Sequence, residues 1–271
     1  MKIGVFDSGL GGLAILKEIL KVLPEYDYVY FGDNARVPYG GRSAELVFDY
    51  TKKAVEFLLK NDCILVILAC NTATATALRR IQKDYLPQHY PQRRVLGVIR
   101  PTIEEVIKSH ARRVGIIGTY ATVLSGSFIK ELIKIDSSLK IYQAACPLLV
   151  PVIEEGEYEW EGLELLLQKY LDPLKKQNID SLILGCTHYG LIETQIKRFL
   201  GDAIKVFSEG SITAKKLKDY LQRHPEIEKL LSKKGERTYF VTDLNDRYSN
   251  MAELFMGEHF GEKDRLTSII L

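Results

Sequence analysis

Two cysteines stand in matching places in this chain. Ile64 to Ala77 reads ILVILACNTATATA: six apolar residues, then Cys70, Asn71 and Thr72, then an alanine-rich segment. Ile179 to Tyr189 reads IDSLILGCTHY, where an apolar run again ends in a small residue, a cysteine and a polar residue: Gly185, Cys186 and Thr187. A short uninterrupted apolar run is the pattern of a strand buried on both faces of a parallel sheet. Each cysteine therefore falls at the C-terminal end of a strand, the edge where open α/β sheets bind ligands.

One thiol and one histidine, Cys186 and His188, would suit a cysteine hydrolase or transferase. That chemistry leaves Cys70 without a role. Two thiols facing each other across a cleft suit the inversion of a carbon stereocentre, in which a base takes a proton from one face and an acid delivers one to the other. A thiol with an ordinary pKa of about 8.5 must be partly ionised to serve as that base. Groups that exchange protons with it or favour its thiolate are needed close by: Asp7 for Cys70 and His188 for Cys186. Cys63 and Cys146 have no polar constellation around them and read as small buried apolar side chains.

The elements that must position these groups follow from the hydrophobic pattern. Lys2 to Phe6 is a strand, and Asp7-Ser8-Gly9-Leu10-Gly11-Gly12 leads into a helix at about Leu13 to Val22. The glycine spacing fits neither a dinucleotide loop nor a P-loop. It leaves a loop where a small anionic group could approach backbone N–H groups near a helix start, although Asp7 suits an amine or an assisted thiol better than a phosphate. Tyr28 to Phe31 is the second strand, and Arg36-Val37-Pro38-Tyr39-Gly40-Gly41 reads as a surface turn. Ser43 caps a helix that runs to roughly Leu59. Val95 to Ile99 starts a new strand, Arg113 to Gly118 another followed by Thr119, and Lys140 to Ala144 a third leading to Cys146-Pro147. Trp160 to Lys175 is an amphipathic helix, Val206-Phe207 a strand and Ser208 to Leu221 a helix. Tyr239 to Asp243 reads as an edge strand and Asn250 to Phe255 as a last helix.

KIGVFDSG and RVGIIGTY align Gly4 with Gly115, and their separation nearly equals that of Cys70 and Cys186. This argues for two related halves. The expected fold class is α/β, with two pseudo-symmetric domains, mainly parallel sheets and an active-site cleft between them. The expected domains are 1–94 with 207–271, and 95–206.

With 37 Lys and Arg against 35 Asp and Glu, the net charge of +2 gives no basis for nucleic acid or a membrane surface as the main partner. No segment has the length of a membrane span, and MKIGVFDSG lacks the design of a signal peptide. A cytoplasmic location is expected, with the four cysteines as reduced thiols. None forms a CxxC pair and the histidines do not cluster with them, which argues against a metal site. A homodimer is admitted as the assembly.

DSGLGG, GDNARVPYG, ACNTATA, VPVIEEG and GCTHYG, in this order over most of the chain, resemble the cofactor-independent aspartate/glutamate racemases. The resemblance implies interconversion of L- and D-glutamate without cofactor or metal, supplying D-glutamate to peptidoglycan synthesis. It makes Cys70 the acid/base for the D-enantiomer and Cys186 that for the L-enantiomer. Asp7, His188 and Glu154 match the assisting residues. Ser8, Pro38, Tyr39, Gly40, Asn71, Thr72, Thr119 and Thr187 match substrate-binding positions, together with Asp7 and His188. Asn71, Thr72 and Thr187 would hold the α-carboxylate, and Ser8 with the backbone of Tyr39-Gly40 the side-chain carboxylate. Two departures bear on specificity: Gly190 stands where the family has proline, and Arg100 where glutamate racemases commonly carry glutamate. Aspartate or another amino acid is the alternative substrate, and a two-lobed binding protein without turnover the alternative class.

Overall fold

The computed structural model describes residues 1–260 and 264–270. Ten strands form two sheets: β1 (Lys2–Asp7), β2 (Tyr28–Gly32), β3 (Cys63–Leu68), β4 (Arg94–Gly97), β5 (Arg113–Gly118), β6 (Lys140–Ala145), β7 (Ser181–Gly185), β8 (Lys205–Phe207), β9 (Arg237–Val241) and β10 (Leu266–Ser268). The first sheet has the order β10-β9-β2-β1-β3-β4 and the second β6-β5-β7-β8. Every pairing is parallel. The series β2-β1-β3-β4 and β6-β5-β7-β8 are the same arrangement, and Cys70 and Cys186 follow equivalent strands, β3 and β7.

Parallel strands need crossover connections, and here helices supply them on both faces of each sheet. In β1, Ile3 and Val5 face one core with Leu13, Leu16 and Ile19 of α1 (Gly12–Val22). Phe6 faces the other, with Val47 and Leu58 of α2 (Ala44–Lys60) and Ala73 and Ala77 of α3 (Asn71–Arg80). Such two-sided burial explains the unbroken apolar runs. Each fully buried Leu or Ile contributes about 1.5–3 kcal/mol. As expected, the Ser43 hydroxyl caps α2, accepting the Leu46 N–H at 3.4 Å.

Three expectations need correction. The boundary at 94/95 falls inside β4, whose Val95 pairs with Val66 of the first sheet. The strand β9 is not an edge, because β10 pairs along its outer side. The stretch after Thr119, for which the pattern gave no element, holds two helices, Tyr120–Ser125 and Ser127–Ile135, broken at Gly126 where φ is +61°. The last helix starts earlier than expected, at Asp246. Residues 261–263 and 271, part of the expected first domain, lie outside the described residues.

Candidate active site

The C-terminal edges of the two sheets border one cavity of about 290 Å³. Its wall holds Ser8, Pro38, Tyr39, Gly40, Cys70, Asn71, Thr72, Thr119, Glu154, Cys186, Thr187 and His188. Every candidate site residue is therefore at this cavity except Asp7, which is fully buried behind it. No residue of the wall is a Lys or Arg, so an anionic ligand would meet N–H and O–H donors.

Cys70 is the N-cap of α3. Its sulfur accepts the Ala73 N–H at 3.4 Å and stands 3.4 Å from Ser8 Oγ. Burial pushes its thiol up to about 12, helped by the negative charge of Asp7 and opposed by those two hydrogen bonds. Asp7 Oδ2 accepts the Gly9 N–H at 3.0 Å. Burial raises the Asp7 pKa, against the pull of His188 and the Gly9 and Gly12 amides. The Cys70 side thus rests as a neutral thiol, the form that delivers a proton.

The Cys186 side has different partners. His188 Nε2–H donates to Glu154 Oε1 at 3.0 Å, and Nδ1 lies 3.8 Å from Cys186 Sγ and 3.4 Å from Thr187 Oγ1. Burial pulls the His188 pKa down, but Cys186 and Glu154 outweigh it and lift it to about 10. At neutral pH the ring is an imidazolium with both N–H groups engaged, and a thiolate at Cys186 would stand beside its positive charge.

The loop at 33–41 is no loose surface turn. Tyr39 is buried, and its hydroxyl donates to Asp33 Oδ2 at 2.5 Å. Arg36 Nη1 donates to both oxygens of Asp33 at 3.1 Å, and Thr242 Oγ1 from the end of β9 donates to Oδ1 at 3.0 Å. Held this way, Gly40 sits against Thr119 of the second sheet: a Cβ added there would lie 2.6 Å from the Thr119 Cβ. Thr72 Oγ1 and Thr119 Oγ1, 2.9 Å apart, bridge the two sheets at the cavity wall.

The glycines of the loop after β1 mark places of close packing. Of its residues 8–12 only Ser8 lines the cavity. A Cβ on Gly11 would come within 2.5 Å of Thr187 Oγ1 and 2.6 Å of His188 Nδ1. Gly11 is bare because the Thr187–His188 turn packs directly on it, and Gly12 because the Asp7 side chain does. Cys146 also reaches the wall, with Tyr120, Pro147, Val150 and Pro151. Its place just past β6 was the available signal. Glu209, buried and bonded to Asn71, was missed too. Its position after β8 is the strand-to-helix junction that the other site residues share.

Arg100 lies outside the cavity wall, pairing with Glu104 at 3.1 Å and Glu131 at 3.4 Å. Beside Gly190, the His188 ring is held at both nitrogens and Tyr189 OH anchors the turn on the Cys146 carbonyl at 3.0 Å. Among the described residues, no group of three or more His, Cys, Asp or Glu is placed to hold a metal ion. No helix there is long and apolar enough to cross a membrane.

Residues 3–217 match the model of the Asp/Glu/Hydantoin racemase family. The chain belongs to that family. Among its relatives, a glutamate racemase of Geobacter metallireducens is 38% identical, covering 96% of this chain and 94% of its own. One from Aquifex aeolicus is 39% identical, covering 97% of each. The crystal structure of the Francisella tularensis glutamate racemase in complex with D-glutamate superposes with a TM-score of 0.88 at 32% identity, over 99% of this chain and 97% of that one.

Proposed function

We propose that the chain is a glutamate racemase, interconverting L- and D-glutamate by two-base proton transfer and supplying D-glutamate for peptidoglycan synthesis in the cytoplasm. The observation that carries this reading is the pair Cys70 and Cys186. They follow equivalent strands, open into one cavity, and are served by different partners: Ser8 and Asp7 for one, His188 and Glu154 for the other. A hydrolase would need one such thiol and a binding protein none.

In this reading a Cys186 thiolate, beside the His188 imidazolium, takes the α-proton of L-glutamate. The Cys70 thiol delivers a proton to the opposite face, and the reverse reaction exchanges the two roles. The first-turn N–H groups of α3 and the hydroxyls of Thr72 and Thr187 hold the α-carboxylate, which a helix N-terminus favours. Ser8 and the Tyr39-Gly40 backbone hold the side-chain carboxylate. We further propose two lobes, one around each sheet, divided after β4 and again after β8.

Circular dichroism of the purified protein with L-glutamate, D-glutamate, L-aspartate and D-aspartate, without added cofactor, tests it. Loss of optical activity from both glutamate enantiomers is expected. Loss from aspartate alone would move the assignment to an aspartate racemase, and no loss from any of the four would remove the enzymatic reading.

A further inference from the structure

Tyr30 is a buried polar side chain close to the site that the proton transfers above do not use. It stands on β2 beside β1, fully buried, on the face of the sheet that α1 covers. A buried tyrosine hydroxyl needs a partner, and this one donates to the Gly9 carbonyl oxygen at 2.7 Å. Gly9 in turn donates its N–H to Asp7 Oδ2 at 3.0 Å. Ser8, between them, keeps its Oγ 3.4 Å from the Cys70 sulfur. Gly9 is thus held at its carbonyl by Tyr30, while its amide holds the carboxyl group that assists Cys70.

The surroundings of that carbonyl are tight. A Cβ on Gly32, the last residue of β2, would lie 2.5 Å from the Gly9 oxygen and 3.2 Å from Tyr30 Cε1. A Cβ on Gly12 would lie 2.3 Å from the Asp7 Cβ and 3.2 Å from the Tyr30 hydroxyl oxygen. The phenol therefore stands between the Gly9 carbonyl and the start of α1. Burial and the charges of Asp7 and Cys70 raise its pKa, so it keeps its proton, and with it the donated bond, where a thiol titrates. Tyr28, two residues earlier on the same face, supplies the comparison. Its buried hydroxyl donates to the Leu23 carbonyl at 2.7 Å, at the other end of α1. The two tyrosines make the same bond, and only Tyr30 makes it to the loop of Asp7 and Ser8.

We propose that Tyr30 is a positioning residue for the Cys70 half of the reaction: by pinning the Gly9 carbonyl it fixes the Gly9 amide on Asp7 and the Ser8 hydroxyl beside Cys70. This rests on the racemase reading and deepens it. Without the phenol oxygen the ring still packs, but residues 8 and 9 are free to turn. Asp7 then loses a fixed donor, and Ser8 drifts from the thiol. Cys186 is served by His188 and Glu154 from the other sheet's elements. Gly11, which touches Thr187 and His188, is held by α1 itself, its carbonyl accepting the Ala14 N–H at 3.1 Å.

Racemisation alone does not locate such damage, because enantiomers have equal free energy and kcat/KM must fall equally in both directions. Elimination of HCl from 3-chloroglutamate does: a thiolate takes the α-proton, chloride leaves carbon 3, and each enantiomer calls on one thiol. The test measures this elimination for both enantiomers in the parent, Tyr30→Phe and Tyr28→Phe. Tyr30→Phe should slow elimination from the D-analogue about tenfold, the size of one lost hydrogen bond, and leave the L-analogue close to the parent. Tyr28→Phe, which also leaves one carbonyl unpaired, should lower the unfolding midpoint by a similar amount and leave both analogues close to the parent. No slowing in Tyr30→Phe, equal slowing of both analogues, or the same bias in Tyr28→Phe would overturn the inference. If Tyr30→Phe does not fold, Gly32→Ala decides. Its methyl group presses on the same carbonyl and should give the same bias, so unbiased rates there would overturn the inference too. If neither folds, the Gly9 amide hydrogen of the parent should be protected from exchange, and exchange at the solvent rate would break the chain from Tyr30 to Asp7. A parent that neither racemises glutamate nor eliminates chloride sinks the functional reading, whereas an active parent beside an unbiased Tyr30→Phe sinks only this one.

Discussion

The two thiols are related by fold but not by chemistry. Cys70 sits near a buried carboxyl group and is held as a neutral thiol, and Cys186 sits 3.8 Å from an imidazole that two partners keep protonated. Cys70→Ser and Cys186→Ser should each lower racemisation by about 10³-fold or more, because an alcohol is too weak an acid to replace a thiol in proton transfer. Each variant keeps one competent thiol, so elimination of HCl from 3-chloroglutamate, which needs only the first proton abstraction, should survive on one side. Cys70→Ser should process the L-analogue through Cys186, and Cys186→Ser the D-analogue through Cys70. Both variants acting on the same enantiomer would refute the two-base assignment. A second expectation comes from His188, whose pKa of about 10 in the folded protein exceeds the ordinary 6.5. A raised pKa stabilises the fold fully below pH ~6.5, and that contribution is lost as pH rises toward about 10. Glu154→Gln removes one of the two groups that raise it. Urea unfolding should find this variant less stable than the parent by about 2 kcal/mol at pH 6, the worth of a charged hydrogen bond. The gap should close by pH 10, and a gap independent of pH would refute the charged pair. At this scale the two candidate cysteines were legible because each interrupts a polar-ended apolar run. Glu209 was not, since an acid at the start of a helix ordinarily faces water and only the fold buries it against Asn71.

What positions these groups is a set of strand-to-helix junctions that exclude side chains where elements meet. Gly11 is the tightest of them at the Cys186 side, with Thr187 Oγ1 and His188 Nδ1 closing on the space where a Cβ would be. Gly11→Ala must push the Thr187–His188 turn away from the Cys186 sulfur. Overpacking of this kind should cost about 1–3 kcal/mol of stability, measured as a lower unfolding midpoint. The loss in kcat/KM should be larger, about 10²-fold, because displacing a catalytic group by about 1 Å is felt at that size. Parent-like activity in a folded Gly11→Ala would mean the contact does not position His188. Sequence patterning gave the strands well because burial on both faces leaves little polar interruption in them. It missed β10, three residues too short and too exposed to show alternation, and with it the interior place of β9. It also missed the helices on either side of Gly126, each shorter than the window over which a helical period can be counted.

Across the whole molecule, the matching orders β2-β1-β3-β4 and β6-β5-β7-β8 place two like strand ends around one cavity. The approximate internal repeat was readable from Gly4 and Gly115. Which strands join which sheet was not, because β4 follows the first cysteine's helix in sequence and yet returns to the first sheet. A substrate held at both strand edges makes contacts that the unfolded chain cannot make, so binding must stabilise the fold by mass action. The variant Cys70→Ser/Cys186→Ser removes turnover while leaving Ser8, Asn71, Thr72 and Thr187 to bind. L- and D-glutamate at a hundred times their dissociation constants should each stabilise it by about 2.7 kcal/mol, read as a higher unfolding midpoint. In the proposed binding mode aspartate, shorter by one methylene, gives up contact with either the α-carboxylate donors or the Ser8/Tyr39-Gly40 edge. A tenfold weaker ligand at the same concentration stabilises by about 1.4 kcal/mol less, so aspartate should lag glutamate by at least that margin. Equal stabilisation by aspartate would show that the far edge of the cavity does not select side-chain length. The preference for glutamate would then have to arise in the proton transfers themselves.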